Sequence, residues 1–280
     1  MKPILVPTDF SRCAQNAIDY AVKIAKKTKA EIIILHAEKL IAEHPEVSEA
    51  TVFASTSKEI HERMERVIKH QQFIHDDFPE LQLRYEIKIG FAVDAIITTA
   101  KENNAGMIVM GTQGATDLSK YLLGSNTAKV INKSTVPVLA VPQSAKFLGF
   151  AKIVFADDLH EMDDYSVFDT LVEIALMFNS KIDIVTVHKS ESDMLNYYEL
   201  FEKVDIDKVF RNAKIPFEFH KVIHRDIAQG IHDFVKENHA YLLVTMPEKH
   251  GFIELLFNNS ITRKLVFHND TAVLTLPNKK

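Results

Sequence analysis

The chain has 280 residues, 46% hydrophobic and 25% charged, with a formal net charge of −5. That length suits two domains or one large one, and mild acidity without a Lys/Arg block argues against a general nucleic-acid or membrane-surface binder. A lone cysteine, Cys13, excludes an internal disulfide framework or a Cys-rich metal site and fits a reducing cytoplasm.

In chain order, the opening segment carries Pro7 and Asp9, which break its apolar stretch too early for a secretion signal. Apolar runs such as Ile32–Leu35 and Met107–Met110 are far too short to span a bilayer, so a soluble, cytoplasmic chain is expected. Short β-branched runs at about 2–7, 31–36, 84–89, 106–110 and 136–141 are strand candidates. Between them, Ala14, Ala17, Ile18, Ala21 and Ala25 recur on one helical face, as do Val93, Ile96, Ile97 and Ala100. Cys13 falls in the first turn of the first helix, as a small helical residue or a stabilised thiolate. A charged, partly helical stretch, Glu38–Asp77, enters between strands two and three.

Glycine is scarce, yet Gly111, Gly114 and Gly124 cluster after the fourth strand, where a helix over about 125–133 should begin. Glycine permits positive φ and close backbone approach, both useful where amides wrap a phosphate. A helix opened by Ser125, Asn126 and Thr127 adds amides, hydroxyls and the positive end of a dipole, at the sheet edge where open α/β folds hold ligands. The plainer readings are a tight turn for the glycines and helix capping for Asp9, Ser125 and Thr127, with Ser11 competing as cap.

The second half repeats the first. Ile4–Asp9 returns as Ile153–Asp158, Glu31–His36 as Lys181–His188, Lys101–Ala105 as Lys236–Ala240, and Val136–Pro142 as Thr271–Pro277. A period of about 135–150 residues is domain-sized, which marks a tandem duplication. Its helical faces are Val167, Leu171, Ile174, Ala175 and Phe178, then Ile227, Ile231, Phe234 and Val235, and Lys189–Ala213 matches the charged insertion. Two α/β domains follow, 1–143 and 150–280, joined by Gln143–Gly149. Each is a doubly wound, Rossmann-like parallel sheet of five strands. Each last strand, Val136–Val141 and Thr271–Leu276, should lie at a sheet edge, and the two edges should mate within the chain as an intramolecular pseudo-dimer. Further homodimerisation stays open.

Gly111-x2-Gly114-x9-Gly124-Ser125, after its strand and beside Asp9, resembles the glycine motif of the ATP-binding universal stress protein family. The likeness covers the whole chain as two copies. It implies an adenine nucleotide, ATP with Mg2+ as an optional companion, held by the first half. Pro7, Thr8 and Asp9 would then sit beside the adenosine, Ala37 and Met110 would line the adenine slot, and Gly111 and Gly114 would pass close to ribose and phosphates. Gly124, Ser125, Asn126 and Thr127 would hold the phosphate tail. In the second copy Met246, Lys249 and Asn259 stand opposite the three glycines, leaving Ser260 and an Asp157-Asp158 pair, which argues against nucleotide there.

The implied function is an ATP-binding regulator of the stress response, acting through unidentified protein partners. Two alternatives remain: an adenine-nucleotide-dependent enzyme with slow hydrolase or adenylating activity, and a nucleotide-independent interaction scaffold. Dedicated catalysis lacks support, since no G-x-x-x-x-G-K-[ST], G-x-S-x-G or H-E-x-x-H motif occurs. Among the 13 histidines, His220 and His224 share a strand face about 13 Å apart, too far for one zinc. His36 and His188 both end second strands, which suggests a structural role common to the two copies.

Overall fold

The computed structural model describes residues 2–38, 49–113, 124–156, 165–192, 206–246 and 271–277, with backbone alone at 49–57 and 206–207. Gly114, Asp157, Asp158, Lys249, Asn259 and Ser260 lie outside the described residues.

The first half runs β1 (Ile4–Pro7), α1 (Arg12–Thr28), β2 (Ile32–Glu38), α2 (Glu49–Ile74), β3 (Leu83–Ile89), α3 (Ala92–Glu102), β4 (Met107–Gly111), α4 (Ser125–Lys133) and β5 (Val138–Val141). The second runs β6 (Lys152–Ala156), α5 (Asp169–Phe178), β7 (Lys181–His188), α6 (Ile206–Asn212), β8 (Phe217–Ile223), α7 (Ile227–Glu237), β9 (Leu242–Thr245) and β10 (Ala272–Thr275). The charged insertion of the first half thus contains a helix of 26 residues, whereas the described part of its counterpart holds one of 7.

All ten strands form one sheet in the order β3-β2-β1-β4-β5-β10-β9-β6-β7-β8. Every described pairing is parallel except β5 with β10, which is antiparallel with Leu139 opposite Leu274, Ala140 opposite Val273 and Val138 opposite Thr275. The two half-sheets therefore meet through their last strands, as the edge argument requires, and the same five-strand order is read outward from the seam on both sides. The inner strands are largely apolar because both faces are covered. The outermost strands, β3 and β8, instead carry Arg84, Glu86 and Lys88, or Glu218 and His220, charges that suit a strand with an unpaired edge.

Strand alternation divides the core into two layers. Ile4, Val6, Ile32, Ile34, Leu139 and Leu274 pack under α1, α2 and α5, while Leu5, Ile33, Leu35, Val138 and Val273 pack under α3, α4 and α7. Both layers cross the seam. The join is bolted to both halves: Asn16 Nδ2 donates to the carbonyls of Pro142 at 2.7 Å and Ala145 at 3.0 Å. Phe147 meets Tyr20 and Phe178 at ring separations of 5.1 and 5.8 Å.

Winding direction reverses between β1 and β4. The connection after β1 runs through α1 on one face, and that after β4 runs through α4 on the other, so the chain opens a crevice at the carboxyl ends of these neighbouring strands.

Candidate functional site

A cavity of about 770 Å3, its open mouth included, occupies that crevice. Pro7, Thr8, Asp9, Ala37, Met110, Gly111, Gly124, Ser125, Asn126 and Thr127 all line it, so every described candidate residue converges on one place. Ala14, Leu35, His36, Ala92, Ile96 and Gln113 complete the wall and were not singled out as ligand contacts from the sequence. Ala92 and Ile96 open α3 at the sheet's carboxyl edge, and that position was the signal available for them.

The lining is divided by chemistry. On the β2 and α3 side it is apolar, with Leu35, Ala37, Ala92 and Ile96, and Met110 joins them from β4. On the β4 and α4 side stand Gln113, Gly124, Ser125, Asn126 and Thr127, with Asp9 between the two regions at the end of β1. Asp9 is the one carboxylate among the described lining residues, and no lysine or arginine is among them.

Local chemistry sets each part. Ser11, not Asp9, caps α1, accepting from the Ala14 amide at 3.1 Å, while Asp9 Oδ1 accepts from the Ser11 amide at 3.0 Å. Phe10, between them, adopts φ 62°, which turns the chain sharply out of β1. Gly124 precedes α4 and offers no side-chain cap to the first-turn amides, and Ser125, Asn126 and Thr127 all line the cavity. Ser125 and Asn126 are exposed, whereas Thr127 is buried and its hydroxyl donates to the Gly111 carbonyl at 2.8 Å, tying β4 to α4.

Two sequence expectations need correction. Positive φ is not what demands glycine here, since Gly124 has φ −58° and Gly111 is absent from the positive-φ positions. At Gly111 the demand is steric: a Cβ would stand 2.8 Å from Cys13 Sγ, 2.9 Å from the Cys13 carbonyl carbon and 3.0 Å from its oxygen. Cys13 is a buried residue of the first turn of α1, packed against the ends of β4 and β5, its thiol donating to the Val141 carbonyl at 3.4 Å. Nor are His36 and His188 equivalent. Leu35 pairs with Pro7 and Val185 with Ala156, so His36 corresponds to Thr186, and His188 occupies the place of Glu38.

The family model of the universal stress proteins matches residues 1–142 and again 149–277. The chain belongs to the universal stress protein family. A universal stress protein of Methanocaldococcus jannaschii is 32% identical over 158 residues, covering 50% of this chain and 94% of that one. One from Synechocystis sp. is 23% identical over 295 residues, covering 98% of this chain and 99% of its own. Among solved structures, a universal stress protein from Archaeoglobus fulgidus superposes with a TM-score of 0.69 at 16% identity, covering 98% of this chain and 96% of that chain, which shows the shared fold. This chain is therefore a tandem universal stress protein, two family units on one sheet.

The second unit differs at the corresponding place. Met246 follows β9 where Gly111 ends β4, and α5 starts only at Asp169, after a 3-10 turn at Tyr165–Phe168. On the apolar side Val187 replaces Ala37, and α7 rests so close that a Cβ on Gly230 would stand 2.8 Å from Val187 Cγ1. Asp226 Oδ1 caps α7 by accepting from the Ala228 and Gln229 amides at 3.0 and 3.2 Å.

The histidines of β8 separate as well. His220 lies in the strand, donates from Nε2 to Asp183 Oδ1 at 3.1 Å and packs tilted against Phe234 at a ring separation of 5.0 Å, whereas His224 lies beyond the strand end. Asp183, Glu218 and His220 place ligand-type atoms within 4.8 Å of one another. Lys152 and Lys181 stand 3.5 and 3.4 Å from the Asp183 carboxylate and already supply positive charge there. Burial pushes the Asp183 carboxyl up, but His220 and the two lysines outweigh it and hold the group below its ordinary range.

Proposed function

We propose that the first unit binds one adenine nucleotide, ATP, in the β1/β4 crevice, and that the protein acts as a nucleotide-dependent regulator of the stress response. The observation that carries this reading is the division of one cavity into an apolar slot and a polar, amide-rich end. A flat base suits Leu35, Ala37, Ile96 and Met110, a ribose suits the acceptor oxygens of Asp9, and a phosphate tail suits the uncapped start of α4. The glycine spacing of the family supports the same assignment. In the second unit Val187 and the close-packed α7 fill the base position, which supports one nucleotide per chain.

The test is to denature purified protein and identify what it releases. An adenine nucleotide approaching one equivalent per chain supports the reading. Release of none, together with no calorimetric response to ATP by the native protein, favours the interaction scaffold instead.

A further inference from the structure

The corner that carries Asp9 is held by a contact outside the family's glycine motif. His36 is 9% exposed at the end of β2, and its Nδ1 lies 2.8 Å from the Thr8 carbonyl. Its Nε2 lies 3.0 Å from Glu38 Oε2. Both partners are acceptors, so the ring completes both hydrogen bonds only when both nitrogens carry protons. The Phe10 ring packs against His36 at 4.7 Å, and the Arg63 guanidinium covers Phe10 at 4.0 Å. Thr8 and His36 both line the cavity, and Asp9 follows Thr8 directly. The second unit lacks this arrangement, since Thr186 stands in place of His36.

Resting on the nucleotide reading above, we propose that His36 is the positioning residue for Asp9, and that the Glu38–His36–Thr8 bridge makes nucleotide affinity pH-dependent. With Nδ1–H and Nε2–H both donating, the Thr8 carbonyl is clamped between β1 and β2, and Asp9 is presented at a set angle to the ligand. Loss of the Nε2 proton turns a lone pair toward the Glu38 carboxylate, the two repel, and the clamp loosens. Among the described residues, the charged groups that face the ring are Glu38 on its own strand and Arg63 of α2 across Phe10, and Asp9 shares its cavity wall. Glutamine at position 38 removes the repulsion, because its amide donates to a neutral Nε2.

The experiment uses the full chain. ATP affinity is measured by calorimetry at about pH 5 and about pH 8, the span over which histidine changes charge, for wild type, His36→Asn, His36→Leu and Glu38→Gln. Melting temperatures are recorded for each. The wild-type affinity should fall at least about fivefold more than that of Glu38→Gln on going to the higher pH, about 1 kcal/mol. Comparing the two profiles cancels the titration of the nucleotide itself. His36→Leu should weaken binding by a similar factor at the lower pH, and His36→Asn, which keeps a donor toward Thr8, should restore most of it. Superimposable profiles for wild type and Glu38→Gln, with ATP still bound, would overturn the proposal alone. Absence of ATP binding by the wild type would overturn it together with the nucleotide reading.

Discussion

Substituting Gly111 by alanine probes how the crevice is built. The added Cβ would stand 2.9 Å from the Cys13 carbonyl carbon, and restoring an ordinary contact of 3.4 Å requires the first turn of α1 to retreat by about 0.5 Å. Such overpacking costs about 1–3 kcal/mol. It also displaces Ala14, which lines the cavity, and the Ser11 cap that Asp9 leans on. Gly111→Ala should therefore lower the melting temperature by several degrees and weaken ATP together, read by calorimetry and thermal unfolding on one preparation. Cys13→Ala in the same chain should rescue only part of the loss. It removes Sγ at 2.8 Å but leaves the carbonyl carbon and oxygen at 2.9 and 3.0 Å. A Gly111→Ala protein with unchanged melting temperature would refute the steric account, and complete rescue by Cys13→Ala would assign the clash to the thiol alone.

Gly124→Val makes a contrasting case: φ −58° suits any residue, so no backbone strain is added, and the variant should lose at least about tenfold in ATP affinity, about 1.4 kcal/mol. Cysteines at Ala140 and Val273, directly opposed across the seam, should form an intrachain disulfide in a Cys13→Ala background, and bridges formed only between chains would contradict the pseudo-dimer. Asp183→Asn should cost about 2 kcal/mol near neutral pH, measured by denaturant titration. Because the folded carboxyl sits below its ordinary range, its contribution is present above the unfolded value of about 3.9 and is lost as pH falls through the folded value. The gap between variant and wild type should thus close in acid, and a gap that widens there would be wrong for this sign. Asp226→Ala should cost about 1 kcal/mol through the lost cap of α7 and leave ATP affinity unchanged.

Much of this architecture was legible in the residues. Strands with both faces covered announce themselves as continuous apolar runs, and the repeated Val-Leu-Ala-Val and Val-Leu-Thr-Leu segments pointed to two edges that had to be mated. Strand ends were less legible: β1 begins at Ile4 and β5 at Val138, because Pro3 and Pro137 carry no amide proton to continue a ladder. The glycine motif and Asp9 located the crevice, yet the reason for Gly111 was hidden, since it depends on Cys13, which lies 98 residues earlier in sequence and touches it only in the fold. His36 is visible as a strand-end histidine, but its likeness to His188 in the sequence hides the register in which it corresponds to Thr186. The apolar wall from α3 stays hidden in the sequence because helical periodicity reports which face is covered, not whether a ligand or a strand covers it.

The central claim is that one nucleotide occupies the first unit and none the second. Titration of nucleotide-stripped, full-length protein with ATP, followed by heat and repeated with Gly124→Val, measures this directly. The account predicts one site per chain in the wild type and its loss in the variant. Two equivalent sites, or a single site indifferent to Gly124→Val, would contradict it.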